Sequence, residues 1–166
     1  KRQPGSGFKP FVYAAALDSG YAPNTVIVDA PIDVDTPQGV WQPKNFSKKY
    51  YGNVPLRIGV EKSRNLMTIR LAKEIGMETV ASYAENFGVY KKMRPFLANS
   101  LGSQETTLFR MVSAYAMFAN GGERVEPTLV DRVQDRWGKT LYRHDKRKCN
   151  DCNNNNLEAG FSPVIF

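Results

Sequence analysis

The sequence has no apolar run approaching the ~20 residues that span a bilayer. Its first residues, Lys1-Arg2-Gln3-Pro4-Gly5, lack the hydrophobic stretch of a secretion signal. A soluble chain without its own address is therefore expected. Histidine occurs once, at His144, and cysteine twice, at Cys149 and Cys152. A zinc site takes four ligands, and a single histidine cannot supply both that a lone Cys-x-x-Cys lacks. A redox dithiol usually opens a helix after a strand, whereas Cys152 runs into Asn153-Asn154-Asn155-Asn156. The pair reads first as a small loop-closing disulfide of an oxidising compartment, with free thiols or a metal as alternatives. No cofactor is expected. The scarcity of histidine also argues against a Ser-His-Asp triad, because His144 stands in a charged stretch with no Gly-x-Ser-x-Gly nearby.

What is present fits one globular domain, or a large piece of one: 166 residues, 42% of them hydrophobic, suffice for a sizeable core. Twenty-three Lys and Arg against sixteen Asp and Glu leave a net charge of +7, which raises the question of an anionic partner. The basic clusters are small, at Lys48-Lys49, Lys91-Lys92 and Lys146-Arg147-Lys148, and none is interleaved with aromatics as a single-strand groove requires. Solvated faces account for them, and no nucleic-acid partner is expected. The loop-like start and the apolar tail Pro163-Val164-Ile165-Phe166 both read as cut from something longer.

Phe8 to Leu17 is rich in alanine and apolar residues, which predicts a helix buried nearly all round, with Pro10 in its first turn and Ser6 at its start. Pro23, Pro31, Pro37, Pro43 and Pro55 make residues 21 to 55 a loop-rich excursion with one short strand at Thr25–Val28. Helices are predicted over Leu56–Lys62, Leu66–Ile75 up to Gly76, Glu78–Phe87 up to Gly88, and Thr106–Asn120 up to Gly121-Gly122. In the last, the helical period runs through Leu108, Met111, Val112, Tyr115, Ala116 and Ala119. Thr128–Val133 and Thr140–Tyr142 read as a hairpin or bulged ribbon around Asp135-Arg136-Trp137-Gly138. Residues 144 to 166 are expected to be a charged, Asn-rich loop and a truncated tail. The class is α+β, with a sheet not completed by residue 166.

Ser6 and Lys9 are three residues apart at a helix start, a spacing that turns both side chains to one face. A serine hydroxyl needs a base, and an amine can serve once burial lowers its pKa toward neutrality. The helix N-terminus favours developing negative charge there. Alone, Ser-x-x-Lys is equally an N-cap serine followed by a solvated lysine. Gly5-Ser6-Gly7-Phe8-Lys9 is not a P-loop, because the four-residue gap between glycines and the hydroxyl after lysine are missing. Ser63-Arg64-Asn65, between two predicted helices, offers a hydroxyl that can relay a proton and a carboxamide that can hold a peptide. Helix capping is its plain alternative.

Ser-x-x-Lys, Ser-Asp-Asn and Lys-Thr-Gly form the set shared by penicillin-binding proteins and class A β-lactamases. The surrounding text sharpens the match: Arg2-Gln3-Pro4-Gly5-Ser6-Gly7-Phe8-Lys9-Pro10-Phe11, Trp41-Gln42-Pro43-Lys44-Asn45, Ser63-Arg64-Asn65, Leu101-Gly102-Ser103 and Ala114-Tyr115-Ala116-Met117-Phe118-Ala119-Asn120-Gly121-Gly122. In this order they resemble the transpeptidase domain of class A penicillin-binding proteins, nearest the 1A type, over most of residues 2 to 143. The resemblance implies an incomplete penicillin-binding protein/serine β-lactamase-like fold, its helical part plus early strands. It also implies a serine acyltransferase that cross-links peptidoglycan. Ser6 would attack the penultimate carbonyl of a D-Ala-D-Ala stem peptide, with Lys9 as base. Ser63 would shuttle protons, and Asn65 would hold the acylated peptide. Stem peptides and β-lactam antibiotics are the implied partners, with other cell-wall synthesis proteins beside them. The resemblance further implies a membrane-anchored parent at the outer face of the inner membrane, carrying a glycosyltransferase domain; neither anchor nor glycosyltransferase falls within these residues.

Two departures stand out. Arg64 takes the place of aspartate in the second motif, at a position that varies among penicillin-binding proteins. Lys-Thr-Gly is missing: Gly138-Lys139-Thr140-Leu141 lacks the final glycine and falls on the predicted turn. The family triplet comes later in sequence, on a strand, and supplies a carboxylate-binding lysine and an edge amide for the oxyanion. Loss of such a donor costs roughly 100-fold or more in rate, so these residues alone are expected to be inactive and poorly stable. A β-lactamase would need a glutamate to position water, but Glu74, Glu78 and Glu85 sit on predicted helices and Glu105 in a segment of the penicillin-binding type. A penicillin-recognising sensor without turnover remains as the other class.

Overall fold

A computed structural model describes residues 1–37 and 39–145. The Cys149/Cys152 pair, the basic run at 146–148 and the tail to residue 166 lie outside the described residues. The elements are mixed, five helices with short antiparallel ribbons, which is the expected α+β class. The described residues fall into two compact units, 1–111 and 112–145.

The first unit is built around α1, Lys9–Asp18, which continues directly from a 3₁₀ turn at Gly5–Phe8. Lys9, Phe11, Val12, Tyr13, Ala15 and Ala16 are all buried, as a sequence with apolar residues on every side requires. Pro10 sits in the first turn, where its missing amide hydrogen has no helical acceptor to lose. α1 packs against α3 (Asn65–Ile75) and α4 (Met77–Asn86). Phe11 meets Phe87 edge-on at 5.2 Å between ring centroids, and Phe8 lies 5.7 Å from Phe11 and 5.8 Å from Tyr90. Such pairs add roughly 0.5–1.5 kcal/mol beyond the area they bury. Gly76, at φ +85°, ends α3 and opens α4, and Gly88, at φ +72°, follows α4, the two stops that the glycines predict.

The proline-rich excursion holds more strand than its one predicted segment. Besides β1 (Val26–Asp29) it contains β2 (Val34–Thr36), β3 (Gly39–Trp41) and β4 (Gly52–Pro55). They form two separate two-stranded ribbons, β1 with β4 and β2 with β3. Three- and four-residue strands show too little alternation to be read from sequence. The β1–β4 ribbon matters for the core: Ile27 packs with Tyr13, Ala16, Leu56, Met67 and Leu71. α2, Leu56–Glu61, follows β4 without a break.

A second 3₁₀ turn, Leu97–Leu101, has no counterpart among the predicted elements; its residues Asn99 and Ser100 are buried. The segment after it binds the chain's first residues. Arg2 and Thr106 exchange both backbone hydrogen bonds, at 2.9 and 3.0 Å, and the Gly5 amide donates to the Gly102 carbonyl at 3.1 Å. Gly102 has φ +75°, and a Cβ there would lie 2.7 Å from the Gly5 nitrogen and nearer still to its carbonyl oxygen. Only glycine lets these two backbones meet.

α5, Leu108–Ala119, starts in the first unit and runs into the second. Ala114 and Met117 are its buried residues, so the predicted stripe through Leu108, Val112 and Tyr115 is an exposed one. The period identifies a helix but not which surface its stripe meets. In the second unit β5 (Arg132–Gln134) and β6 (Thr140–Arg143) pair antiparallel with a register shift at Val133/Gln134, the expected bulged ribbon. Its turn is held by Asp135, which accepts from the Trp137 and Lys139 amides at 2.9 Å each. Lys139 therefore belongs to a turn rather than a strand. Leu129, Trp137 and Leu141 of this unit are all exposed.

Two outcomes are expected. Gly102→Ala should destabilise the folded protein by about 1–3 kcal/mol, seen as a lower urea midpoint, because backbone rather than a movable side chain blocks the new methyl. Residues 1–166 alone, with so many large apolar groups in water, should unfold at a low midpoint with weak cooperativity; a sharp calorimetric transition at high temperature would contradict this.

Candidate active site

Ser6 lies within the 3₁₀ turn, where its carbonyl accepts the Lys9 amide. In such a turn residues i and i+3 eclipse, which stacks Ser6 and Lys9. Ser6 is exposed and its hydroxyl has no hydrogen-bond partner among the described residues, whereas Lys9 is only 2% exposed. The turn is fixed from both sides. Gly7 donates to the Pro4 carbonyl at 3.2 Å, and Gly5 to Gly102. The Gly5, Gly7 and Lys9 amides are thereby committed to backbone acceptors, and what the helix start offers an incoming anion at Ser6 is its partial positive charge.

Lys9 Nζ donates to the Ser63 carbonyl at 2.6 Å, to Ser63 Oγ at 2.9 Å and to Asn65 Oδ1 at 2.6 Å. Residues 54 and 56 positions apart in sequence thus converge on one amine. Desolvation lowers the Lys9 pKa from 10.5 to about 8. A group titrating there is neutral in about one molecule in ten at pH 7. Ser63 reaches Lys9 with both oxygens through a left-handed backbone, φ +52°, a conformation that costs a non-glycine residue about 1 kcal/mol or more. Asn65, the first residue of α3, donates from Nδ2 to the Lys44 carbonyl at 2.8 Å and uses one of its two amide hydrogens there.

All four residues singled out in sequence are therefore placed: Lys9, Ser63 and Asn65 in direct contact, Ser6 one turn before Lys9. Arg64 faces away from Lys9, with its guanidinium 3.5 Å from the centroid of the Tyr51 ring and its Nε 3.9 Å from buried Asp29. Asp29 and Tyr51 carry no local signal of this role. Asn45, quoted in sequence only as part of a motif, supports α3 by accepting the Leu66 amide at 3.3 Å.

None of the glutamates weighed for hydrolysis bonds to the Lys9–Ser63–Asn65 group. Glu74 accepts from the Tyr21 hydroxyl and Glu85 from the Met93 amide. His144 shares a 3.3 Å contact with Tyr142 at the end of the β5–β6 ribbon. Among the described residues no cluster of His, Cys, Asp and Glu could hold a metal, and no helix is long and apolar enough to cross a membrane.

The family model "Penicillin binding protein transpeptidase domain" matches residues 1–158. Penicillin-binding protein 1A of Rickettsia conorii is 45% identical over 167 residues, covering 98% of this chain and 21% of that protein. The 1A protein of Haemophilus influenzae is 38% identical, with 99% and 19% covered. Its crystal structure superposes with a TM-score of 0.80 at 38% identity, over 85% of this chain and 21% of that one. PonA1 of Mycobacterium tuberculosis, solved in complex with penicillin V, gives a TM-score of 0.75 at 25% identity over 85% of this chain and 41% of that one. The chain spans about a fifth of the length of the curated relatives. Sequence along nearly its whole length and backbone alike give one assignment: the chain belongs to the penicillin-binding protein transpeptidase-domain family.

Proposed function

We propose that these residues supply the acylating side of a peptidoglycan D,D-transpeptidase, within a membrane-anchored class A penicillin-binding protein at the outer face of the bacterial inner membrane. The observation that carries this reading is the buried Lys9 amine, held by both oxygens of Ser63 and by Asn65 one turn after an exposed serine. Neutral Lys9 takes the Ser6 proton as Oγ attacks the penultimate carbonyl of a D-Ala-D-Ala stem peptide. The tetrahedral oxyanion forms at the helix start, where the partial positive charge of the helix favours it. Ser63, bonded to Lys9, passes the proton to the departing D-Ala amine, and the C–N bond breaks to leave an ester on Ser6. An amine of a second strand then attacks the ester and returns Ser6 to its free hydroxyl. A β-lactam enters the same first step, but its opened ring stays attached and the ester persists. Asn65 holds the acyl peptide through its remaining Nδ2 hydrogen.

Lys9 bonds Ser63 and Asn65 and, among the described residues, no carboxylate, which favours transfer to an amine over hydrolysis by a carboxylate-activated water. Lys-Thr-Gly does not occur in this sequence, so residues 1–166 alone are expected to acylate poorly or not at all.

The full-length protein incubated with benzylpenicillin should gain one drug mass on intact-mass analysis, and Ser6→Ala should abolish the gain. No adduct on the well-folded wild type would defeat the reading; an adduct without cross-linking of stem peptides would leave a sensor. The pH dependence follows from Lys9. The neutral amine is the competent form and its folded pKa lies near 8, so acylation should rise about tenfold per pH unit below 8 and level off above it. Lys9→Arg, which cannot lose its proton in this range, should slow acylation by about 100-fold or more, as expected for loss of a positioned base.

A further inference from the structure

Asp29 is a fully buried carboxylate at the end of β1, more than 30 residues before the motif it faces. Its Oδ1 accepts Asn45 Nδ2 at 2.6 Å, and its backbone carbonyl accepts the Tyr51 amide at 3.1 Å. Oδ2 lies 3.9 Å from Arg64 Nε, and neither buried atom has a hydrogen bond elsewhere. A buried charge without a partner is costly, so these two groups are bound to each other's position. Asn45 and Arg64, the two side-chain partners of Asp29, each adjoin a residue of the site or one bonded to it. Asn45 follows Lys44, whose carbonyl takes the Asn65 carboxamide, and itself caps Leu66, the residue after Asn65. Arg64 stands between Ser63 and Asn65, stacked on Tyr51, which β4's approach and the Asp29 carbonyl hold in place.

We propose that Asp29 and Arg64 are a positioning pair for this site: the Asp29 carboxylate, through Arg64 and Asn45, holds Ser63 and Asn65 against Lys9. This rests on the function proposed above. It also accounts for an arginine in the middle of the second motif, since the position faces a buried acid rather than substrate. Ser63 occupies a left-handed conformation that its own residue type does not favour, and the neighbouring ion pair opposes its relaxation.

The test is the acylation rate constant of the full-length protein with a fluorescent penicillin, as a function of pH, for Asp29→Asn, Arg64→Met, Arg64→Lys and the double variant Asp29→Asn/Arg64→Met. Misplacing a reacting group by about 1 Å can cost 100-fold, so each of Asp29→Asn and Arg64→Met should slow the acylation step at least tenfold with little change in penicillin binding. Water reaching Lys9 should also move the rising limb of the pH profile upward from about 8. Arg64→Lys, which keeps the charge beside Asp29, should retain most of the rate. The double variant should be no slower than the slower single, because both remove one interaction. A lowered thermal midpoint with wild-type rate and wild-type limb, or losses that simply multiply in the double, would overturn the positioning role. Should Asp29→Asn not fold, the contrast between Arg64→Met and Arg64→Lys decides the same point, equal rates overturning it. Failure of the wild type itself to form an adduct would instead remove the transpeptidase reading on which this one stands.

Discussion

Lys9 sits where a lysine is costly: in the first turn of a helix that buries Phe11, Val12, Tyr13, Ala15 and Ala16 with it. Phe8, Phe11, Val12 and Ala15 bring the chain into the core, and the amine goes in with them. Burial without partners would push such a group to neutrality altogether, and full solvation would leave it an ordinary ammonium. Desolvation brings its pKa down to about 8, while three oxygens from Ser63 and Asn65 fix where the amine lies. Nearly every other feature of the first unit serves that arrangement. α3 brings Asn65, the turn before it brings Ser63, and the packing of α1 on α3 fixes their distance from Lys9.

The serine is held by a different device. Its turn leans on the 102–106 segment through backbone, with glycine meeting glycine at Gly5 and Gly102 and a backbone bridge at Arg2 and Thr106. Ser6 itself stays exposed, its hydroxyl unbonded among the described residues. The nucleophile's role proposed for Ser6 asks for a rigid position and an accessible hydroxyl. The candidate site thus rests on two supports: hydrogen bonds around the buried Lys9 amine, and close backbone contact beneath Ser6.

The helices were legible because their signals are local and repeated. Alanine-rich apolar sequence around Pro10, stops at Gly76 and Gly88, and the asparagine–glycine end of α5 mark boundaries within a residue or two of those observed. The ribbons between residues 26 and 55 were not, apart from β1, because three or four residues among prolines show almost no alternation. The Leu97–Leu101 turn escaped for a similar reason: its buried residues are polar, Asn99 and Ser100, and their satisfaction comes from neighbours such as Ser103 and the Leu97 carbonyl. The α5 stripe shows the opposite limit, since a clear period says nothing of what a helix faces.

By itself the sequence determined the chemistry on offer: a serine and a lysine three apart at a helix start, a hydroxyl and a carboxamide between two helices, and the family in which such groups recur together. Spacing along one chain suffices for that, because residues within a turn meet wherever the helix is placed. Only the tertiary structure decided that Lys9 loses solvent, that Ser63 turns left-handed to meet it, and that Asp29 and Asn45 stand behind Arg64 and Asn65. Those outcomes depend on contacts across tens of residues, and burial and partner distance, which set the pKa and the aim of each group, exist only once the chain has closed on itself.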